Sequence, residues 1–143
     1  MDYLKVLVEE IHSVVVATVD ETGHPHTAVM DMMREDGKTV YFLTADFKPL
    51  YKRLKEDGRV AVTGMTQGAG TMDRKSISLT GQVEWIGKEH LEELLKANPY
   101  MYEIYPTEEG RSHLQVFRFK NAVGNFYDLT QLPPYQARFE IEG

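Results

Sequence analysis

A basic segment at residues 44–59 has the residue types and the spacing to hold a phosphate group. Four of its cations recur at intervals of four, three and four residues: Lys48, Lys52, Lys55 and Arg59. That spacing puts them on one face of a helix, with Pro49 in its first turn and Asp46 as a plausible N-cap. Free backbone N–H groups at a helix N-terminus attract phosphate, so the segment predicts an anion site. A solvated basic helix face is the alternative, and the segment alone favours it.

Residues 23–31 hold two histidines and an aspartate. A zinc ion would need His24 and His26 to share a further protein ligand, and the remaining histidines are scattered along the chain, so we predict no metal site. Asp31 interrupts an otherwise apolar run. It is interpreted either as a solvent-facing residue on an alternating strand or as a polar contact to a ligand.

Motifs of the common catalytic folds are missing from the sequence. It has no Walker loop and no nucleophile elbow. The glycines at 68 and 70 lie between predicted strands with no helix following, so they do not form a dinucleotide-binding turn. Hydrolase and nucleotide-kinase functions therefore lose their main support.

Composition limits the partners and the compartment. The net charge of −6 argues against nucleic acid, which needs clustered cations. The absence of cysteine excludes disulfides and thiolate metal sites and fits a reducing compartment. No apolar run approaches the ~20 residues that span a bilayer, and the N-terminus is acidic where a secretory signal is basic. We expect a cytoplasmic protein with no membrane partner.

The elements that must position these residues are short strands and short helices. Apolar residues at helical period predict helices over 2–11, 47–57 and the stretch from Leu91 to Asn98. In the second helix the apolar side is formed by Phe47, Leu50, Tyr51 and Leu54. β-Branched and alternating runs predict strands at 13–19, 26–33, 39–44, 60–66, 76–85, 114–119 and 123–129. The Asp36-Gly37 turn marks a hairpin, so we predict one α+β domain over 1–143 with an antiparallel barrel.

Six short motifs follow one another along nearly the whole chain: VVVATV at 14–19, GHPHT at 23–27, VYFLT at 40–44, KPLYKRL at 48–54, GRV at 58–60 and ISLTG at 77–81. In this order and spacing they resemble the pyridoxamine 5'-phosphate oxidase-like family of FMN-binding split barrels. The resemblance implies an α+β fold, namely an antiparallel split β-barrel of about six to seven strands with short flanking helices.

The resemblance also implies a flavoprotein that holds FMN at a homodimer interface. The ring would lie along the second and third strands, and the phosphate against the helix that follows. The cofactor-binding residues implied for one chain are His26, Thr27, Ala28, Val29, Met30, Asp31, Thr44, Lys48 and Lys52. Gln67 and Tyr105 are expected from across the dimer interface. Many relatives carry serine at position 48 and lysine at position 50, so we expect phosphate contacts rearranged around Lys48.

The branch of the family sets the expected activity. Vitamin B6 oxidases are longer and end in a segment rich in Trp, Arg and His that this sequence does not carry. The shorter nitroimidazole-reductase-like or general-stress-like branches are closer. They imply an FMN-dependent oxidoreductase that passes hydride or electrons from a nicotinamide donor to a small acceptor. No catalytic residue is assigned, because the flavin carries the chemistry. The alternatives are a non-catalytic flavin- or haem-binding module, an F420-dependent reductase, and a barrel with no cofactor.

Overall fold

An antiparallel sheet of eight strands forms the body of the protein in the computed structural model, which describes residues 1–142. The strands are β1 Ser13–Val19, β2 Pro25–Asp31, β3 Arg34–Glu35, β4 Val40–Ala45, β5 Arg59–Met65, β6 Lys75–Gly87, β7 Leu114–Asp128 and β8 Tyr135–Glu142. Their order is β2-β1-β5-β6-β7-β4-β3, and β8 pairs with the second half of β7. The predicted α+β split barrel is confirmed, with one strand more than the upper expected number.

Short helices flank the sheet. An α-helical turn, α1 Tyr3–Lys5, continues as a π-helix over Val6–Ile11. The others are α2 Pro49–Glu56, α3 Leu91–Ala97, α4 Met101–Ile104 and α5 Glu108–Arg111, of which α4 and α5 were not predicted. Among residues 1–142, no helix combines the length and the apolar character needed to cross a membrane.

The start of α2 differs from the prediction in two ways. Pro49 is its first residue, as expected, but the N-cap position is Lys48 and not Asp46. The Asp46 carboxylate instead accepts a hydrogen bond of 2.9 Å from Nδ1 of His113. It therefore does not cap α2. Phe47 precedes the helix and is 65% exposed, so its predicted packing on the barrel is wrong, whereas Leu50 and Leu54 are buried as expected.

The end of the chain shows the largest departure from the sequence prediction. The strands predicted at 114–119 and 123–129 form the single strand β7, which pairs with β6 through two register shifts. One shift lies between Gln82 and Val83, close to Gly81, where a Cβ would lie 2.1 Å from the backbone oxygen of Asn121. β8 was not predicted, although Phe139 and Ile141 alternate with exposed charged residues, which is the period of a strand with one buried face.

Two apolar clusters hold the sheet and helices together. The larger fills the barrel and contains Phe42, Phe117, Phe119 and Phe126, all fully buried. The smaller packs α3 and α4 against β4 and β7 through Leu94, Leu95, Met101, Leu114 and Val116. The second cluster positions the residues that precede and follow α4 beside the ends of β2 and β4.

Candidate functional site

A cleft of about 580 Å³ lies between β2, β4, α2 and α4. The predicted residues that line it are Ala28, Val29, Met30, Asp31, Thr44, Lys48 and Tyr105. Its remaining walls are mainly apolar and include Met33, Leu43, Met101 and Ile104, which were not predicted. A volume in this range suits a small organic ligand.

A second cavity of about 440 Å³ adjoins the first and contains the predicted residues His26 and Lys52. Pro49 and Arg53 line both cavities. The start of α2 therefore forms a shared wall, and the two cavities together follow β2 from His26 to Asp31.

Two predicted residues, Thr27 and Gln67, line neither of these cavities. Thr27 is exposed on β2. Gln67 lines a third cavity of about 660 Å³, with Val15, Met65 and Arg74. Val29 borders both this cavity and the cleft. Tyr105, expected from across a dimer interface, lies in the cleft of its own chain.

Lys48, Lys52 and Arg53 form what we call the basic end of the cleft. Within residues 1–142, no side chain caps the N-terminus of α2 and its first turn holds no acidic residue. An uncapped helix N-terminus and nearby cations both favour an anion. Lys48 and Lys52 are exposed, so their ammonium groups are free to reorient toward one.

Two of the four cations that were predicted to share one helix face lie away from the cleft. The ammonium of Lys55 lies 4.2 Å from the centroid of the Trp85 ring, on the β6 side of the helix. Arg59 is in β5, where its Nε donates a 2.7 Å hydrogen bond to Asp57 and holds the pKa of that carboxyl at about 2. The helix ends before Arg59, so the prediction that four cations share one face is wrong.

Arg53 is a functional candidate that sequence reasoning missed. Its Nε donates a 2.8 Å hydrogen bond to Oγ1 of Thr18, a buried residue of β1. This bond leaves the rest of the guanidinium at the junction of the two cavities. The signal was present, because Arg53 is four residues after Pro49 and shares its helix face.

His24 and His26 both lie beside Asp20. Nε2 of His26 is 2.8 Å from Oδ2 of Asp20, whose other oxygen accepts from the hydroxyl and backbone N–H of Thr22 and the backbone N–H of His24. The hydrogen bond from His26, followed by those from Thr22 and His24, holds the pKa of Asp20 well below its ordinary value.

His12, Asp31 and Tyr100 form what we call the acid end. The Tyr100 hydroxyl lies 2.7 Å from Oδ2 of Asp31 and 2.7 Å from Nε2 of His12. Oδ1 of Asp31 accepts a 2.6 Å bond from the hydroxyl of Ser13. Burial, and then the hydrogen bond to Asp31, raise the pKa of Tyr100. Asp31 is therefore a bonded polar residue at the cleft wall and not a free solvent-facing one.

Comparison with known proteins agrees with this architecture. The family model for pyridoxamine 5'-phosphate oxidase matches residues 2–127. The chain belongs to the pyridoxamine 5'-phosphate oxidase family. No curated protein matches the sequence significantly.

Solved structures share the fold at low sequence identity. A NimC/NimA family protein from Clostridium acetobutylicum is 20% identical, with a TM-score of 0.76, over 98% of this chain and 95% of that one. An FMN-binding protein related to pyridoxamine 5'-phosphate oxidase, from Nostoc punctiforme, is 11% identical, with a TM-score of 0.60, over 92% and 87%. A haem-binding protein from Mycobacterium smegmatis is 13% identical, with a TM-score of 0.71, over 95% and 56%.

Structures of this fold thus include FMN-binding and haem-binding proteins and one described as an F420 reductase. The residues of the cleft fit a flavin phosphate ester. Apolar walls at Ala28, Val29 and Met30 suit a planar ring, and the basic end suits a phosphate.

Proposed function

We propose that this protein binds FMN in the cleft and, as a homodimer, passes hydride or electrons from a nicotinamide donor to a small acceptor. The single observation that supports this most is the junction of the two cavities at the uncapped start of α2. Lys48 lines the cleft, Lys52 lines the second cavity and Arg53 lines both, in a protein with a net charge of −6.

The phosphate of FMN would bind at the start of α2. A dianion at the start of α2 gains from the helix dipole and from the lysine point charges, and Arg53 offers planar donors held in place by Thr18. Hydrogen bonds to charged groups contribute roughly 1.5–3 kcal/mol each. Two or three such contacts contribute roughly 3–9 kcal/mol, and burial of the ring adds to this toward the roughly 8 kcal/mol of micromolar binding.

The flavin ring of FMN would lie between β2 and β4. Ala28, Val29 and Met30 of β2 line the cleft together with Leu43 and Thr44 of β4, which provides a mainly apolar wall for the ring. Bound there, FMN would supply two-electron chemistry, while the chain orients it and excludes water.

A second copy of the chain completes the site in this proposal. Val29 is 74% exposed although it is apolar and borders two cavities, and the neighbouring Val15 and Met65 are also exposed. A partner subunit covering this apolar surface would bury it and close the open side of the cleft. Gln67 lies on the same surface and would face the partner's flavin.

The test is an absorbance spectrum of the purified protein with added FMN after gel filtration. We expect flavin absorbance to elute with a dimer-sized peak and to bleach on addition of NADH or NADPH. The double variant Lys48→Ala, Lys52→Ala should lose FMN affinity by about 100-fold. The matched control is Lys55→Ala, whose ammonium lies over Trp85 and which should bind FMN as the wild type does.

Other outcomes separate the alternatives. Failure to bind micromolar FMN overturns the cofactor assignment. A Soret band with haem, or a deazaflavin spectrum with F420, would replace FMN by that cofactor. Flavin that binds but is not reduced by a nicotinamide indicates a non-catalytic module.

A further inference from the structure

The acid end holds more titratable groups than flavin binding requires. Asp31 ends β2, Tyr100 immediately precedes α4, and His12 lies between the π-helix and β1. These three elements are far apart in the sequence. Their side chains nevertheless meet through two contacts of 2.7 Å.

The donor and acceptor roles of these three side chains determine how many protons the cluster carries. Nδ1 of His12 is 3.1 Å from the backbone oxygen of Val8, and a carbonyl only accepts, so Nδ1 carries a proton. The Tyr100 hydroxyl has one proton for its two short contacts, to Nε2 of His12 and Oδ2 of Asp31. Both contacts are hydrogen bonds only when one further proton sits on Nε2 or on the Asp31 carboxyl. With both hydrogen bonds formed, the cluster would hold one transferable proton.

The backbone is strained in a way that aims His12 at this cluster. His12 has φ of 61° and ψ of −65°, a conformation that side chains other than glycine rarely adopt. Hydrogen bonds hold it there, from its N–H to the oxygen of Leu7 and from Met32 N–H to its own oxygen. Backbone strain of this kind persists where surrounding contacts hold the residue in its conformation, and it is enriched at functional sites. The preceding π-helix is itself a rare element found often at such sites.

The cluster connects solvent to the cleft. The His12 side chain is 29% exposed and that of Asp31 27%, and Asp31 lines the cleft. Among residues 1–142, the titratable side chains in contact with His12 are Tyr100 and Asp31. The raised pKa of Tyr100 keeps its hydroxyl protonated, so it passes on a proton only as it receives one.

We infer that His12, Tyr100 and Asp31 form a proton relay that protonates an acceptor reduced in the cleft. This inference rests on the proposed function. An acceptor such as a quinone that took a hydride from a bound reduced flavin would carry negative charge on oxygen. The Nε2 proton of His12 moves to Tyr100, the Tyr100 proton moves to Asp31, and Asp31 passes that proton to the oxygen, which leaves His12 with its Nδ1 proton alone and Asp31 ionised. His12 then regains one proton from water, so charge and protons balance.

Tyr100→Phe tests the relay, because it removes the hydroxyl and keeps the ring. The FMN-loaded protein is reduced anaerobically and mixed with a water-soluble benzoquinone. We expect FMN affinity within about twofold of wild type and flavin reoxidation slowed by about 100-fold. The reoxidation rate should also lose its solvent deuterium isotope effect and its pH dependence. Tyr102→Phe is the matched control, since Tyr102 contacts Arg111 outside the cleft, and it should behave as the wild type does.

A measurement without cofactor tests the proton count directly. Nuclear magnetic resonance of the chain labelled in its histidine ring nitrogens and aspartate carboxyls, assigned with His12→Asn and Asp31→Asn, locates the extra proton. We expect either a doubly protonated His12 ring or a protonated Asp31 at neutral pH, and loss of that state in Tyr100→Phe. A singly protonated His12 beside an ionised Asp31 overturns the relay.

The two experiments distinguish failure of the proposed function from failure of the relay. A wild-type chain that does not bind FMN overturns the proposed function, and the delivery step with it. FMN-loaded Tyr100→Phe that keeps the rate, isotope effect and pH dependence of wild type overturns the relay and leaves the proposed function standing.

Discussion

The basic end and the acid end of the cleft present opposite kinds of polar structure. At the basic end, Lys48 and Lys52 are exposed, and Arg53 is attached through one nitrogen to Thr18. At the acid end, every polar side chain is committed to another, and the backbone of His12 is strained to make this possible.

This difference matches the physical needs of two tasks. Attracting a phosphate needs net charge and tolerates mobile donors, because Coulomb attraction varies slowly with distance. Moving a proton needs donors and acceptors within hydrogen-bond distance, because transfer fails when they separate. We therefore expect changes at the basic end to alter affinity and changes at the acid end to alter rate.

The largest effect that sharpens the comparison is expected from Arg53→Met, which keeps the apolar stem and removes the guanidinium. FMN affinity measured by flavin fluorescence should fall by roughly 10- to 100-fold, since the loss of a charged hydrogen bond costs about 1.5–3 kcal/mol. Lys55→Met on the opposite side of α2 is the control and should change affinity little. If Arg53→Met instead shifted the pH dependence of quinone reduction, the two ends would not be separate.

The strain at the acid end predicts a smaller effect on stability. His12→Ala and His12→Gly both remove the imidazole, but alanine must still adopt the positive φ. We expect the glycine variant to be the more stable by about 1 kcal/mol in urea unfolding. The order should reverse at Lys96, an exposed residue of α3, where glycine costs roughly 0.5–1 kcal/mol relative to alanine. The same order at both positions would contradict strain at His12.

The smallest effect concerns Asp20, which lines the second cavity together with Lys52 and Arg53. The hydrogen bond from His26 lowers the folded-state pKa of Asp20 below its unfolded value of about 3.9. The resulting stabilisation is fully present above the unfolded pKa and is lost as the pH falls through the folded one. Asp20→Asn should therefore be less stable than wild type at neutral pH and approach it in acid. A difference that stays constant with pH in urea unfolding would contradict this, and His26→Ala should remove part of it.

Much of the cleft was predictable, because its residues lie in local patterns. The strand from which Ala28, Val29 and Met30 face the cleft follows a recognisable turn, and Lys48-Pro49 marks a helix start. Arg59 was placed on that helix because its spacing continued the period, but the chain turns at Gly58, with φ of 79°, and enters β5. A periodic pattern does not report where a helix stops.

The sequence by itself determined the local elements, the antiparallel class of sheet and the segment that can hold a phosphate, because period and turn chemistry act over a few neighbouring residues. Only the tertiary structure decided that Arg53 reaches Thr18, that β8 pairs with the second half of β7, and that the side chains of His12, Tyr100 and Asp31 meet. Those contacts join residues 35 to 88 positions apart or depend on strand pairing. The packing of α4 against the sheet brings the last of them together, and no local pattern records it.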